Sequence, residues 1–180
     1  MNKDTVWIQT FSGKKFNLFN PNPDDILIED IAHSLSNLAR FNGHTDKFYS
    51  VAQHSVYCSF KAPHRLALAA LLHDGAEAYL GDIVSPLKAL LDNYGVFENA
   101  LYALIAEKYL PDSLIFDDYR LMHHVDLRML ATEKFCLMGY DLRWDLIEDI
   151  PIYNDINIDP LPPRASEKLF LDCFYRWSVR

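Results

Sequence analysis

The chain has 180 residues, half of them hydrophobic, and a formal net charge of −8. Its size predicts one domain, residues 1–180, with room for a full core. The acidic balance argues against a nucleic-acid polymer as partner, because such a polymer requires a broad basic surface. The apolar runs are shorter than a bilayer span and no signal-peptide core follows the first residues, so we expect no membrane contact and a cytoplasmic protein.

The first residues differ in pattern from the rest of the chain. Two short alternating runs within residues 6–18 flank a Ser-Gly-Lys turn, which predicts a small β-hairpin. The hairpin is either a lid that packs apolar residues on the protein body or a direct substrate contact. The Asn-Pro-Asn-Pro stretch at residues 20–23 ends any strand and begins a helix, so residues 1–22 form the hairpin and its lead-in.

Beyond the hairpin, the hydrophobic periodicity is helical. It predicts an all-α fold of five or six main helices around one core, spanning about residues 24–40, 47–60, 65–80, 97–109, 116–137 and 164–180. A short helical piece follows residue 85, and a proline-punctuated loop precedes the last helix. The three cysteines, Cys58, Cys136 and Cys173, lack C-x-x-C spacing and are interpreted as reduced thiols, mostly in the core.

Three histidines near the first helices allow alternative interpretations. His33 fits a hydrogen bond at a helix packing surface better than a ligand role. His44 either contacts a phosphate or shapes its turn. His54 projects from the edge of an apolar stripe, where it is either a neutral core histidine or a metal ligand.

One stretch concentrates ionisable groups, since His73, Asp74, Glu77 and Asp82 fall within ten residues. Because a helix turns about 100° per residue, His73 and Asp74 can lean toward one ion beside the axis. Glu77 lies on the same flank, close to such an ion without having to bind it, which suits orienting or deprotonating a water. The alternative is a hydrogen-bonded His-Asp dipeptide at the end of a core helix.

A fourth carboxylate, Asp126, lies within an apolar strip of the helix predicted over residues 116–137. A carboxylate in such a strip is costly unless it is paired, so a metal-ligand role explains Asp126 better than chance does. His123 and His124, one turn or less away, are alternative ligands.

The order of His54, then His73-Asp74, then the distant Asp126 resembles the HD-domain phosphohydrolase superfamily. Residues 49–55, 72–78 and 81–88 are similar to its deoxynucleotidase branch, and the resemblance covers about residues 30–133. It implies an HD-domain helical bundle whose one histidine, HD dipeptide and later aspartate hold the metal. This set suits one divalent cobalt, zinc, manganese or iron ion with open positions, with magnesium as a companion of a triphosphate substrate.

The same resemblance implies roles for the neighbouring residues. Glu77 orients or deprotonates the attacking water, and Asp82 donates a proton to the departing 5′-oxygen. Arg40 binds the substrate phosphate, a task that suits a planar guanidinium. Lys88 and His44 are further candidates for phosphate contact, although Lys88 could equally be an ordinary exposed lysine.

The short chain with its hairpin is more similar to phage-type dATP triphosphohydrolases than to bacterial 5′-deoxynucleotidases, which would place it in a host cytoplasm. Phe16, Leu18 and Pro86 are the candidates that this likeness gives for a base pocket. The expected reaction converts dATP, and also dADP or dAMP, to deoxyadenosine with release of the phosphate chain.

Two alternative functions are a 5′-deoxynucleotidase for monophosphates and a catalytically silent nucleotide-binding HD module. The absence of a Gly-Tyr-Pro motif disfavours an HD-GYP phosphodiesterase. The 13% aromatic residues and the apolar last helix leave surface for a homo-oligomer.

Overall fold

The computed structural model describes residues 5–111, 114–139 and 142–179. The protein is mostly helical and carries a small two-stranded antiparallel hairpin at its N-terminal end, which confirms the predicted all-α class with a hairpin. The elements are β1 (Trp7–Gln9), β2 (Lys15–Asn17), α1 (Ile28–Asn37), α2 (Val51–Lys61), α3 (Ala67–Leu72), α4 (Glu77–Leu80), α5 (Ser85–Lys88), α6 (Tyr94–Tyr109), α7 (Phe116–Leu137) and α8 (Pro163–Ser178).

The hairpin is fastened to the helical body at two points. At its tip, the backbone N–H and the hydroxyl of Ser12 donate to the buried Asp30 carboxylate of α1, at 2.6 and 2.7 Å. In its second strand, Phe16 pairs with Ile8 and is fully buried, with its ring stacked on Tyr79 at a centroid distance of 4.1 Å. The hairpin is therefore part of the core, which favours the packing interpretation over a substrate contact.

The first helix is shorter than predicted. The chain forms a 3-10 turn at Pro23–Asp25 and then extends before α1 begins at Ile28. The extended backbone lets Ile26 turn into the core, where it is fully buried. The prediction of one continuous helix from about residue 24 to 40 is therefore wrong at both ends, because α1 also stops at Asn37.

The second helix begins later than predicted, at Val51 rather than near residue 47. Ser50 caps it, since the serine hydroxyl accepts a hydrogen bond from the backbone N–H of Gln53 at 3.2 Å. Phe48, which falls inside the predicted range 47–60, precedes the observed helix and is 38% exposed. The cap residue rather than the apolar spacing sets this boundary.

The helix predicted over residues 65–80 is interrupted. It consists of a 3-10 turn at His64–Leu66, α3, a tight turn at residues 73–76 and the short α4. In the tight turn the N–H of Gly75 bonds to Leu72 O at 2.9 Å, three residues back rather than four. A Cβ on Gly75 would meet that same oxygen at 3.0 Å and Ile105 Cδ1 at 3.2 Å, so α6 packs too closely there for a larger residue.

The core lies between α1, α2, α3 and α8, and α7 packs against α2. The predicted last helix is present as α8, and Phe170 at its centre is fully buried. The predicted long helix over residues 116–137 is present as α7. None of the helices in the described part of the chain combines the length and apolar character needed to cross a bilayer.

Candidate metal centre

The centre lies where α2, the turn at residues 73–76 and α7 meet. The structure brings the four sequence-predicted ligands together. His54 Nε2 lies 3.1 Å from Asp126 Oδ1, and His73 Nε2 lies 3.8 Å from the same oxygen. Asp74 contributes Oδ1 at 3.2 Å from His73 Nε2 and Oδ2 at 3.7 Å from His54 Nε2.

The hydrogen bonds of the two imidazoles decide which ring nitrogens face the centre. His54 Nδ1 lies 2.6 Å from the carboxylate of Glu133, and His73 Nδ1 lies 2.8 Å from the carbonyl oxygen of Ala70. Both partners only accept, so each Nδ1 donates and each Nε2 is the ring nitrogen that faces the centre. His73 Nε2 is buried without a hydrogen-bond partner. Two ring nitrogens and the carboxylate oxygens thus face one another, and the Nδ1 atoms are bonded as those of metal-ligating histidines usually are, so the arrangement fits a cation between them.

The pKa directions also favour positive charge at the centre. Burial and the Arg40 charge act to lower the pKa of His54, yet Cys58, Glu133 and Asp126 hold it well above its ordinary value. Burial acts to raise the pKa of Asp126, yet the neighbouring rings of His54 and His73 hold it well below its usual range. A divalent ion satisfies these groups without any proton on the ring Nε2 atoms, so the residues present fit a metal.

Cys58 completes a group that sequence reasoning missed. It lies one turn after His54 on α2, is buried, and places Sγ 3.5 Å from His54 Nε2. The donor atoms of His54, Cys58, His73 and Asp126 all lie within 4.8 Å of one another, and this group could hold a metal ion. The i, i+4 spacing from His54 was the signal available in the sequence.

Glu133 of α7 connects the centre to Arg40. The carboxylate is fully buried and accepts hydrogen bonds from His54 Nδ1, from Tyr49 Oη at 2.8 Å and from Arg40 Nη2 at 2.9 Å. Burial acts to raise the pKa of Glu133, but the charges of Arg40 and His54 lower it, so the carboxylate stays ionised. Arg40 Nη1 also lies 3.8 Å from Asp74 Oδ2, which places the predicted phosphate-binding arginine at the edge of the centre.

Glu77, at the start of α4, is 4% exposed and has two unequal oxygens. Oε1 accepts from Lys88 Nζ at 3.1 Å, whereas the buried Oε2 has no hydrogen-bond partner. Lys88 is not an ordinary exposed lysine, because it also binds Glu98 of α6 at 2.6 Å. Burial raises the pKa of Glu77 to about 9, and Asp74 and Asp82 add to the rise. Burial is also the main cause that raises the pKa of Asp82.

The raised pKa of Glu77 predicts a pH-dependent stability of the metal-free protein. The unfolded carboxyl ionises near its ordinary pKa of 4.5 and the folded one near 9, so the free energy of unfolding falls as pH rises between these values. Glu77→Gln removes this titration. The free energy of unfolding of the variant, relative to that of wild type, should therefore be at least about 1.4 kcal/mol higher at pH 8.5 than at pH 5.5, the equivalent of one pKa unit. Urea unfolding of both chelator-treated proteins at the two pH values measures this change. If variant and wild type differ by the same free energy at pH 5.5 and at pH 8.5, the prediction is wrong.

The other predicted site residues lie outside this cluster. His44 is exposed and ends the tight turn at Arg40–Gly43, where its backbone N–H bonds to Phe41 O, which favours the turn-shaping role. His33 bonds to Glu167 at 3.2 Å and stacks on Phe11, as expected of a histidine at a packing surface. His123 and His124 are exposed on α7, which disfavours them as alternatives to Asp126.

The candidate base-pocket residues have different surroundings. Phe16 has no exposed surface, so a base could reach it only if the hairpin moved. Leu18 is partly buried against the core, and Pro86 is exposed on α5. The centre itself is open on its aspartate side, because the side chain of Asp126 is 30% exposed and that of Asp74 is 18% exposed, whereas His54 is fully covered.

A mostly helical protein with a buried His, Cys and Asp group that could hold a metal ion is a candidate metalloprotein. The chain belongs to the family of the uncharacterized protein YfdR of Escherichia coli (strain K12), with which it is 46% identical over 171 residues that cover 93% of each chain. It is also 46% identical over 95 residues, or 48% of each chain, to the uncharacterized protein RCAP_rcc00048 of Rhodobacter capsulatus. No model of a known protein family matches it.

Proposed function

We propose that this chain is a metal-dependent phosphohydrolase of the HD-domain type that acts at the α-phosphate of a deoxynucleotide. The first candidate reaction converts dATP to deoxyadenosine and triphosphate. The observation that carries the proposal is that His54 Nε2, His73 Nε2 and the carboxylates of Asp74 and Asp126 face one another in a cluster that fits a cation and opens to solvent on one side. A saturated structural site would have no such open side.

The chemistry that a divalent ion supplies when bound is acidification of a water and polarisation of a phosphate oxygen. Arg40 would bind the same phosphate. Its guanidinium is fixed by Glu133 through Nη2, while Nη1 points to the open Asp74 edge and Nε has no hydrogen-bond partner. Burial acts to lower the pKa of Arg40, but the surrounding carboxylates together outweigh it and keep the guanidinium charged. They are Glu133, Asp74, Asp126 and Asp82.

Glu77 would handle the proton of the attacking water. Its Oε2 is buried without a partner, so this oxygen can accept a proton at no cost in existing hydrogen bonds, while Lys88 holds Oε1 in place. The pKa of about 9 is that of the metal-free protein, and the charge of a bound divalent ion would lower it, so that the carboxylate could take up a proton from the water. Asp82, whose pKa burial also raises, would supply the proton that the departing 5′-oxygen needs.

The preference for dATP follows from the sequence resemblance. An experiment must decide whether the substrate is a deoxynucleoside triphosphate or a monophosphate. The protein is stripped with chelator, reloaded in turn with cobalt, manganese, zinc or magnesium, and given the four deoxynucleotides as mono- and triphosphates. We expect chromatography to detect deoxyadenosine and triphosphate from dATP. Cleavage confined to monophosphates would instead establish a 5′-deoxynucleotidase, and bound metal with no product from any nucleotide would overturn the enzyme proposal in favour of a silent binding module.

Two variants on α7 control for the source of the activity. Asp126→Asn should abolish hydrolysis, because it removes a charged oxygen at the centre. His123→Asn, three residues earlier on the same helix and exposed, should leave it unchanged. Hydrolysis that survives Asp126→Asn would come from a contaminating phosphatase or from another site.

A further inference from the structure

We propose that Cys58 is a ligand for soft divalent metal ions, so that the centre offers a thiolate-containing donor set in addition to the one that includes Asp74. The thiolate-containing set consists of His54, Cys58, His73 and Asp126. The inference rests on the metal centre of the proposed function but not on hydrolysis of any substrate. Its consequence is that zinc and manganese occupy this centre with different ligands.

The distance between Cys58 and His54 has the value that a shared ion would produce. Bonds of about 2.0–2.1 Å to nitrogen and about 2.3 Å to sulfur, set at tetrahedral angles, place the two donor atoms roughly 3.5 Å apart. Cys58 Sγ lies 3.5 Å from His54 Nε2. Because Nδ1 of His54 donates to Glu133, Nε2 is the ring nitrogen left to bind a metal, and it lies on the side of Cys58 Sγ.

A second observation, independent of the cysteine, points to the same position. His73 Nε2 is buried without a hydrogen-bond partner and belongs to the four donor atoms that lie within 4.8 Å of one another. Asp74 does not belong to that group, although its oxygens approach both histidines. Cys58 is buried inside the protein, whereas Asp74 lies on the open side. An ion held by His54 and His73 could therefore take either a sulfur ligand from the inner side or an oxygen ligand from the outer side.

Ligand softness then separates the metals. Thiolate favours zinc and cobalt, whereas manganese and magnesium favour oxygen donors. Both sets supply four donors. Two nitrogens, one sulfur and one oxygen saturate a tetrahedral zinc or cobalt ion, whereas two nitrogens and two oxygens leave positions open on a six-coordinate manganese or magnesium ion. A metal-sulfur bond forms only as the thiol proton is released to solvent, because the thiolate is the ligand.

The ordinary alternative is that Cys58 only fills space. It packs with Ala70, Val125, Met129 and Tyr153 in a small apolar cluster, where valine would serve as well. A spectroscopic readout separates the two roles, because a space-filling thiol gives no sulfur-to-metal charge transfer. Chelator-stripped protein is titrated with Co²⁺, whose visible bands report binding and whose near-ultraviolet charge-transfer band reports a thiolate ligand.

Wild-type protein should show both the visible bands and the charge-transfer band. Cys58→Ser and Cys58→Val should keep the visible bands and lose the charge-transfer band. Both should bind zinc at least about tenfold more weakly in competition with a chromophoric chelator, with manganese affinity nearly unchanged. Cys173→Ser is the matched control, since Cys173 is also buried but lies on α8 in the main core.

Visible bands without charge transfer in wild type, or a charge-transfer band that persists in both Cys58 variants, would overturn the inference and leave the metal centre of the proposed function intact. No cobalt bands at all in wild type would overturn the centre as well. Hydrolysis is measured separately, so failure of the enzyme proposal cannot be mistaken for failure of this one.

Discussion

Glu77→Gln is expected to lower kcat for nucleotide hydrolysis by a factor of about 10²–10⁴ while the metal content remains at the wild-type level. Glutamine keeps the shape and can still accept from Lys88, but it cannot take up a proton at the position of Oε2, which has no other partner. Single-turnover kinetics with elemental analysis of the bound metal measure both quantities on the same sample.

Glu98→Gln is the control for this prediction, because Glu98 is the other carboxylate that binds Lys88. If Glu77 acts through its own proton chemistry, Glu98→Gln should change kcat by only a few-fold. If kcat falls by the same factor in both variants, hydrolysis depends on the position of Lys88 and not on the proton chemistry of Glu77. Loss of metal from Glu77→Gln would make Glu77 a ligand instead.

Glu133→Gln should produce the largest loss of stability and should also weaken metal binding. The variant removes the nearest counter-charge of the buried Arg40, leaving the Asp74 carboxylate at 3.8 Å, and gives His54 a weaker hydrogen-bond partner. Removing one member of a buried charge network costs about 3–5 kcal/mol. Loss of the carboxylate that orients a metal-binding histidine costs about 10–100-fold in metal affinity. Urea unfolding of the metal-free protein and calorimetric titration with zinc measure the two effects.

Glu167→Gln is the matched control, because Glu167 is also a carboxylate paired with a histidine, His33, but in a partly exposed position. The Glu167→Gln substitution should lower the free energy of unfolding by less than about 1 kcal/mol and should leave the zinc affinity unchanged. Unchanged zinc affinity in Glu133→Gln would show that His54 holds its orientation through packing alone.

The sequence placed the helices of the centre and most of its donors because helical spacing fixes which side chains share a face. His54, His73, Asp74 and Asp126 are brought together as their order along the chain predicted. Glu133 was missed although the argument used for Asp126, that a carboxylate in an apolar strip must be paired, applies to it equally. Its partners, Tyr49 and His54, lie 84 and 79 residues away, and local spacing cannot identify them.

The remaining errors have local physical causes. Cys58 was interpreted as a core residue because a buried thiol looks like a small hydrophobic side chain in the sequence, and it does pack in an apolar cluster. The interruption at residues 73–76 was missed because Gly75 alone does not end a helix, and its close contact with Ile105 is visible only in three dimensions. Capping by Ser50 was decisive for the start of α2, where apolar periodicity suggested an earlier start.

The two attachment points of the hairpin limit how the protein can move. Ser12 at the tip is hydrogen-bonded to Asp30 of α1. Phe16 in the second strand stacks on Tyr79 of α4, the helix that begins at Glu77. Swinging the hairpin away as a rigid flap would break both attachments and expose an aromatic pair. Native-state hydrogen exchange should therefore find the Ser12 amide opening together with the core rather than as a fraying end. Access to the centre would then be through the edge formed by Asp74 and Asp126, whose side chains are 18% and 30% exposed, and would not depend on movement of the hairpin.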